Sequence, residues 1–156
     1  MSVRQKELIM ANYRINERKC FSFTWAIENF SFCWQNNGED ISSPSFIVDT
    51  IERSKWKLVL RPNQKLSETN CLIICFLIRE EDSKGPTYLT ILFEVAFLND
   101  DGSVLKSNGI YVYSFTRDTS RGFSEIFEKE LLRSQKKQFL PNDILTVRCR
   151  IWKKSE

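Results

Sequence analysis

Apolar and polar residues alternate along several short stretches of the chain, and this alternation predicts β-strands. In Phe21–Ile27, every second residue is apolar, while the residues between them are small or polar. Because neighbouring side chains of a strand point to opposite faces of the sheet, the pattern is typical of a strand that buries one face. Cys71–Ile78 is apolar on both faces, which indicates a buried central strand.

The predicted strands are Phe21–Ile27, Ser45–Val48, Lys55–Leu60, Cys71–Ile78, Tyr88–Leu98 and Leu145–Ile151. The segment around Pro62 is expected to end the third of them. Strands at a spacing of roughly 8–15 residues, separated by turn signals, predict an all-β fold, an antiparallel β-sandwich.

The stretch Ile110–Phe127 changes its period twice. Tyr111–Phe115 has aromatic residues in strict alternation, as on one face of a strand. Thr116–Gly122 contains no apolar side chain and predicts a polar loop. From Phe123 onward, apolar residues recur three and four positions apart, which predicts one short amphipathic helix.

These aromatics have two interpretations that the pattern leaves open. In the first, they fill the core of the domain. In the second, they line a groove for an extended peptide, because aromatic side chains add contact area at a low entropic cost. The second apolar face of Cys71–Ile78 also needs a cover, which is the helix, the N-terminal arm or a bound peptide.

Composition indicates one folded domain without an obvious charged partner. The chain has 156 residues, of which 42% are hydrophobic and 13% aromatic, enough for a core without disulfides. The net charge is only +3 and the basic residues are scattered, which argues against nucleic-acid binding. The charged N-terminus and the lack of a long apolar run predict no signal peptide and no membrane span. A nuclear or cytoplasmic protein is expected.

The residue inventory argues against an enzyme. The sequence contains no histidine, which removes the commonest general base and the commonest metal ligand. Its five glycines are not grouped into a phosphate loop. The five cysteines form no compact framework and are expected as free thiols, which again favours an intracellular protein. No metal and no cofactor are expected.

Five phrases, in order, resemble the MATH domain, the meprin and TRAF homology fold. They are FTWAIENFSF (Phe23–Phe32), KWKLVLRPN (Lys55–Asn63), Tyr113–Phe115, Arg121–Phe123 and LPNDILTVRC (Leu140–Cys149). The similarity is greatest to the MATH domains of the speckle-type POZ proteins and their arthropod relatives. We therefore expect an N-terminal arm at 1–18, a MATH domain at 19–153 and a short end at 154–156, with no BTB/POZ domain present.

The resemblance implies a TRAF-like sandwich of about eight strands, with a groove that binds short, often Ser/Thr-rich, peptides of substrate proteins. It implies an adaptor for ubiquitin-dependent turnover, with a cullin-type ubiquitin ligase as partner only if a BTB/POZ domain exists elsewhere. The alternative is a structural or self-associating TRAF-like domain without a ligase role.

Carried over residue by residue, the resemblance predicts a peptide site. Matches to the family's aromatic contacts and its glycine are Phe93, Tyr113, Phe123 and Gly122. Departures from the family's tyrosine, tryptophan and Lys-Asp pair are Cys75, Arg121, Thr119 and Ser120. The guanidinium of Arg121 predicts a preference for an acidic or phosphorylated peptide in place of the family's usual motif.

Overall fold

The computed structural model describes residues 20–35, 39–107, 109–120 and 125–154, the side chains of 33–35, 119–120 and 125–127 excepted. The strands are β1 Phe21–Ile27, β2 Ile41–Ser42, β3 Phe46–Val48, β4 Ser54–Lys65, β5 Cys71–Arg79, β6 Leu89–Leu98, β7 Val104–Ser107, β8 Tyr111–Phe115, β9 Thr119–Ser120, β10 Glu125–Glu128 and β11 Leu145–Lys153. The helices are α1 Phe30–Gln35, α2 Lys129–Ser134, α3 Lys136–Phe139 and a 3₁₀ turn at Pro141–Asp143.

The strands form two sheets in which neighbouring strands run antiparallel. In sheet A the order is β1-β11-β6, and β7 and β8 both pair with β6 along different parts of its length. In sheet B the order is β10-β5-β4-β2, with β3 also on β4 and β9 also on β5. The predicted all-β, antiparallel sandwich is confirmed.

The core lies between the two sheets and is built from alternate residues of their strands. On β6 the inward positions include Phe93 and Phe97, and both side chains are fully buried. Sheet B contributes Trp56 and Cys75, which are also fully buried. The alternation in the sequence therefore predicts the inward face correctly. A slip of one residue in register would turn all of these side chains to the outer face of their sheet.

The predicted end of the third strand at Pro62 is wrong. β4 continues to Lys65, and its pairing with β5 shifts between Arg61 and Gln64. Proline has no backbone N–H to donate, and a bulge is one of the few places in a sheet that tolerates this.

The predicted helix start at Phe123 is also wrong. Residues 125–128 form strand β10, which pairs with Leu72–Cys75 of β5, and α2 begins only at Lys129. The helical spacing of the apolar residues is overridden by the backbone hydrogen bonds that the edge of β5 offers. The sequence also gave no signal for α1, whose first residue Phe30 is fully buried.

The two faces of β5 have different environments. Its inward residues Ile73, Cys75 and Leu77 are fully buried. On the outward face, Phe76 is partly exposed, and the guanidinium of Arg61 lies 5.2 Å from the centre of its ring. A cationic side chain on the neighbouring strand therefore covers part of the second apolar face.

Candidate functional site

Two of the predicted groove residues, Phe93 and Tyr113, lie in the part of sheet A where β8 pairs with β6. Leu89 of β6 lies opposite Phe115, and Ile91 lies opposite Tyr113. Phe115 is fully buried, whereas Tyr113 is only partly buried and packs against the core. The two rings meet edge to face, with 4.9 Å between their centres. Tyr113 is thus the aromatic side chain of β8 that reaches from the core toward the surface.

Phe93 and Cys75 lie in the core between the two sheets. Both side chains are fully buried. The ring of Phe93 contacts the rings of Phe115 and Tyr111, at centre distances of 5.6 and 5.9 Å. Neither Phe93 nor Cys75 therefore presents side-chain surface to a peptide in this structure.

The other predicted site residues lie on the far side of a short crossing. Residues 116–118 connect β8 in sheet A to β9 in sheet B, where Thr119 lies opposite Arg79 and Ser120 opposite Ile78. Arg121, Gly122 and Phe123 lie outside the described residues. Thr119 and Ser120, predicted as part of the loop Thr116–Gly122, instead form the short strand β9 next to the end of β5, because the edge of β5 offers them backbone hydrogen bonds.

Arg79, the last residue of β5, holds the segments around this crossing. Its side chain is fully buried. The guanidinium donates from Nη1 to the carbonyl oxygens of Phe115 (3.2 Å) and Thr87 (3.3 Å). Its Nη2 donates to the carbonyl of Lys84 (2.9 Å), and its Nε donates to Oγ of Ser83 (3.2 Å). Among the described residues no carboxylate pairs with it, so neutral oxygens supply these partners.

A second arginine binds the same loop from outside. Arg117 belongs to the crossing, and its Nε donates to the carbonyl of Ser83 at 2.7 Å, while its Nη2 donates to the carbonyl of Gly85. Burial, and then the positive charge of Arg117, lower the pKa of Arg79. Two cations thus lie close together at this corner and share the carbonyl groups of the loop 83–87.

Gly85 allows the loop to approach Arg79 this closely. Its φ is +103°, a conformation that favours glycine. A Cβ atom at this position would lie 3.0 Å from Cβ of Glu52 and 3.2 Å from Nη2 of Arg79. A side chain here would therefore push the loop away from the guanidinium.

An acidic cleft lies near the crossing but faces away from Tyr113. It is lined by Lys57, Ile78, Glu80, Glu81, Asp82 and Asp118. Ile78 alternates with the inward residues of β5, so the cleft opens on the outer face of sheet B. It is a separate feature from the surface around Tyr113.

Metal ligands, thiols and apolar helices can also be located in the described part of the chain. The ranges that the structure describes hold no group of three or more cysteine and carboxylate side chains placed to bind a metal ion. No disulfide bond links the cysteines whose side chains are described, Cys20, Cys71, Cys75 and Cys149. No helix within the described ranges is long and apolar enough to cross a membrane.

The pattern of the sequence does not predict that Arg79 and Arg117 both bind the loop 83–87. A single arginine at the end of an apolar run is usually read as a surface residue, since arginine is rarely fully buried. The signal that was available is the pair Arg79 and Arg117 around a loop that contains Gly85 and Pro86. Only the strand pairing brings these residues together.

Comparison with known proteins places the chain in a family. The MATH domain profile matches residues 22–151. TD and POZ domain-containing protein 3 of Mus musculus is 31% identical over 139 residues, covering 88% of this chain and 37% of the relative. TD and POZ domain-containing protein 5 of the same species is 28% identical over 134 residues, covering 85% and 39%. The chain spans less than two fifths of the length of these curated relatives. The chain belongs to the MATH domain family.

Proposed function

We propose that this MATH domain is a peptide-recognition module that binds short extended segments of partner proteins. The observation that carries the proposal is the position of β8. The part of the chain that the structure describes pairs this strand on one side only, with β6. Its other edge, the partly buried Tyr113 and the crossing to β9 together offer an extended peptide a backbone partner and an aromatic contact.

In this arrangement the peptide lies beside β8 and places one side chain against Tyr113. Alternate side chains of an extended peptide point the same way, so a second one reaches the segment after Ser120. There Arg121 supplies a guanidinium for an acidic or phosphorylated side chain, and Gly122 lets the backbones approach. Phe123 is the second aromatic contact in the proposal, while the buried ring of Phe115 packs edge to face against Tyr113.

The role in turnover is a further part of the proposal. The names of both relatives state that they contain a POZ domain. We propose that, where a POZ domain accompanies this domain, the bound protein is presented to a cullin-type ubiquitin ligase. Fusing residues 1–156 to the POZ segment of one relative, and measuring ubiquitination of a bound protein with and without Tyr113→Ala, tests this step.

A peptide array tests the binding function itself. The array contains neutral Ser/Thr-rich, acidic, phosphorylated and basic peptides, and binding is measured for the wild type and single variants. Tyr113→Ala should weaken binding by about 1–3 kcal/mol, the usual range for an aromatic hot spot. Phe32→Ala is the control, because Phe32 is an exposed aromatic residue on α1 and lies outside the proposed groove.

The variants at Arg121 test the specificity. Arg121→Ala should weaken acidic peptides more than neutral ones, and Arg121→Trp should shift the preference toward Ser/Thr-rich peptides. Both should leave the melting temperature almost unchanged if this side chain acts on the ligand. A wild type that binds no peptide in the array and self-associates in light scattering would instead support a structural role.

A further inference from the structure

We propose that Arg79 is a positioning residue for the peptide-binding segment that follows β8, a role that rests on the proposed peptide-binding function. Arg79 does not reach the peptide itself, since its side chain is fully buried. It acts on the crossing at 116–118, which leads from Tyr113 on sheet A to Thr119 and Ser120 on sheet B.

Arg79 forms hydrogen bonds at both ends of the crossing. Before the crossing, its Nη1 binds the carbonyl oxygen of Phe115 at 3.2 Å. At the last residue of the crossing, the backbone N–H of Asp118 donates to the main-chain carbonyl oxygen of Arg79, at 2.8 Å. One residue thus sets the distance between the last residue of β8 and the first residues of β9.

The same guanidinium also ties the crossing to the loop 83–87. Its three nitrogen atoms reach oxygens of Ser83, Lys84 and Thr87. Arg117 of the crossing binds the other side of this loop. The planar fork of an arginine can reach several acceptors at once in fixed directions, whereas a lysine offers one nitrogen. The loop therefore serves as a fixed support for the crossing.

The partners of Arg79 favour a geometric role over a purely stabilising one. A buried guanidinium loses its hydration, and here neutral oxygens alone replace it among the described residues. Without a carboxylate partner, the hydrogen bonds formed largely offset this loss, and the net gain in stability is small. The effect on geometry is large, because the guanidinium of Arg79 is one rigid group. It links β5, which carries it, to the loop 83–87 and to the backbone at Phe115.

The backbone at the crossing needs such support. Asp118 has a φ of 58°, in the left-handed region that few residues other than glycine adopt readily. Aspartate tolerates this conformation better than most residues, but it persists only where the surroundings hold it. The hydrogen bond from Asp118 to Arg79 provides this restraint and fixes the direction in which Thr119 leaves.

The test compares Arg79→Lys with a control of similar stability. Arg79→Lys keeps the positive charge but replaces the planar guanidinium by a single ammonium nitrogen. Val147→Ala is the control, because Val147 is fully buried on β11, opposite Phe97 and away from the Leu89 end of β6 that pairs with Phe115. For each protein we would measure thermal unfolding, the affinity for a peptide that the wild type binds, and amide hydrogen exchange residue by residue.

The expected result is a local change in Arg79→Lys. Peptide affinity should fall about tenfold, which corresponds to the loss of one hydrogen bond to a charged group. The amide of Asp118 should exchange at least about tenfold faster, while the amides of the β1–β11 pair stay unchanged. Val147→Ala should change neither the affinity nor the exchange of Asp118. Equal affinity and equal exchange in Arg79→Lys and wild type would overturn the proposal.

Two further outcomes are decisive. If Arg79→Lys does not fold, native-state exchange of the wild type replaces it: Asp118 must then open only with the central pairs of β4 and β5. Opening of Asp118 at much lower urea would overturn the positioning role. A wild type that binds no peptide would refute the proposed function, whereas a binding wild type with an unaffected Arg79→Lys would refute only the role of Arg79.

Discussion

Replacing Phe93 with alanine separates the core from the peptide surface more cleanly than any other single change. Phe93 and Tyr113 lie on adjoining strands, and the sequence predicts both as peptide contacts. Phe93, however, is fully buried between other rings, while Tyr113 is only partly buried. We therefore expect Phe93→Ala to reduce stability and Tyr113→Ala to reduce mainly peptide affinity.

The magnitude follows from the packing. A fully buried phenylalanine removes about 150–250 Å² from water, worth roughly 4–6 kcal/mol at about 25 cal/mol per Å². This is an upper value, and measured Phe→Ala losses in cores are about 3–5 kcal/mol. For a chain of this length each kcal/mol lowers the melting temperature by about 2–4 °C, so Phe93→Ala should lose about 10 °C. Tyr113→Ala should lose about 1–2 kcal/mol of stability and about 1–3 kcal/mol of binding free energy.

Phe97→Ala is the matched control for this experiment. Phe97 lies on the same strand and face as Phe93, is equally buried, and pairs with Val147 at the other end of β6. Melting by circular dichroism and peptide titration at a temperature where all variants are folded give the two quantities. If Phe93→Ala loses far more affinity than Phe97→Ala at a similar loss of melting temperature, then Phe93 contacts the peptide and our description of the core is wrong.

Three further predictions concern stability. Burial raises the pKa of the Cys149 thiol well above its ordinary value of 9.0, so above that pH the thiol ionises only on unfolding. As the pH rises above 9.0, the difference in unfolding free energy between wild type and Cys149→Ala should therefore shrink by up to about 1.4 kcal/mol per pH unit. Urea titrations at several pH values measure this difference, and a constant value would contradict the prediction. Glu94→Gln should lose about 2–4 kcal/mol, because this buried carboxylate accepts hydrogen bonds from Arg148 and Arg150 at 2.8–3.2 Å; an unchanged urea midpoint would refute its structural role. Gly85→Ala should lose more stability than Gly102→Ala in the same assay, since both glycines have positive φ but only the first meets neighbouring atoms, and equal losses would show that the loop yields.

Much of the sandwich could be predicted from the sequence because its strands alternate cleanly. The strand Phe21–Ile27 has the predicted bounds, and Leu145–Ile151 extends by two residues to Lys153. In such strands one face meets the core and the other meets water, so hydrophobicity alone reports the period. The continuous apolar run at Cys71–Ile78 was also read correctly, since it lies between β4 and β10 in sheet B.

The errors occur where tertiary pairing decides the local structure. Residues 125–128 have a helical spacing of apolar positions, yet pairing with β5 makes them a strand. Pro62 is typical of the end of a strand, yet β4 continues beyond it through a bulge. A run of four residues holds too little information to choose between helix and strand, and the neighbouring strand makes the choice.

The burial of the candidate site residues could not be predicted from the sequence. Alternation places Phe93 and Phe97 on one face of their strand, and it places Tyr111, Tyr113 and Phe115 on one face of theirs. It does not tell which of these rings approach the surface. That depends on which end of β6 the strand β8 pairs with. The role of Arg79 depends on its contacts with the nearby loop 83–87 and with Phe115, 36 residues away, and no local pattern encodes the second of these.

The position of β11 in the middle of sheet A determines when this domain can fold during its synthesis. Leu145–Lys153 lies between β1 and β6, so among the described strands β1 gains its partner in sheet A only when Leu145–Lys153 emerges from the ribosome. Pairing between the two ends of a chain is slow, because a long loop must close first. Until then the apolar strand β1 remains an open edge, and a chain arrested before Leu145 would expose both β1 and one side of β6 to other nascent chains. Protection of the growing chain from aggregation is therefore needed at least until Leu145–Lys153 has emerged.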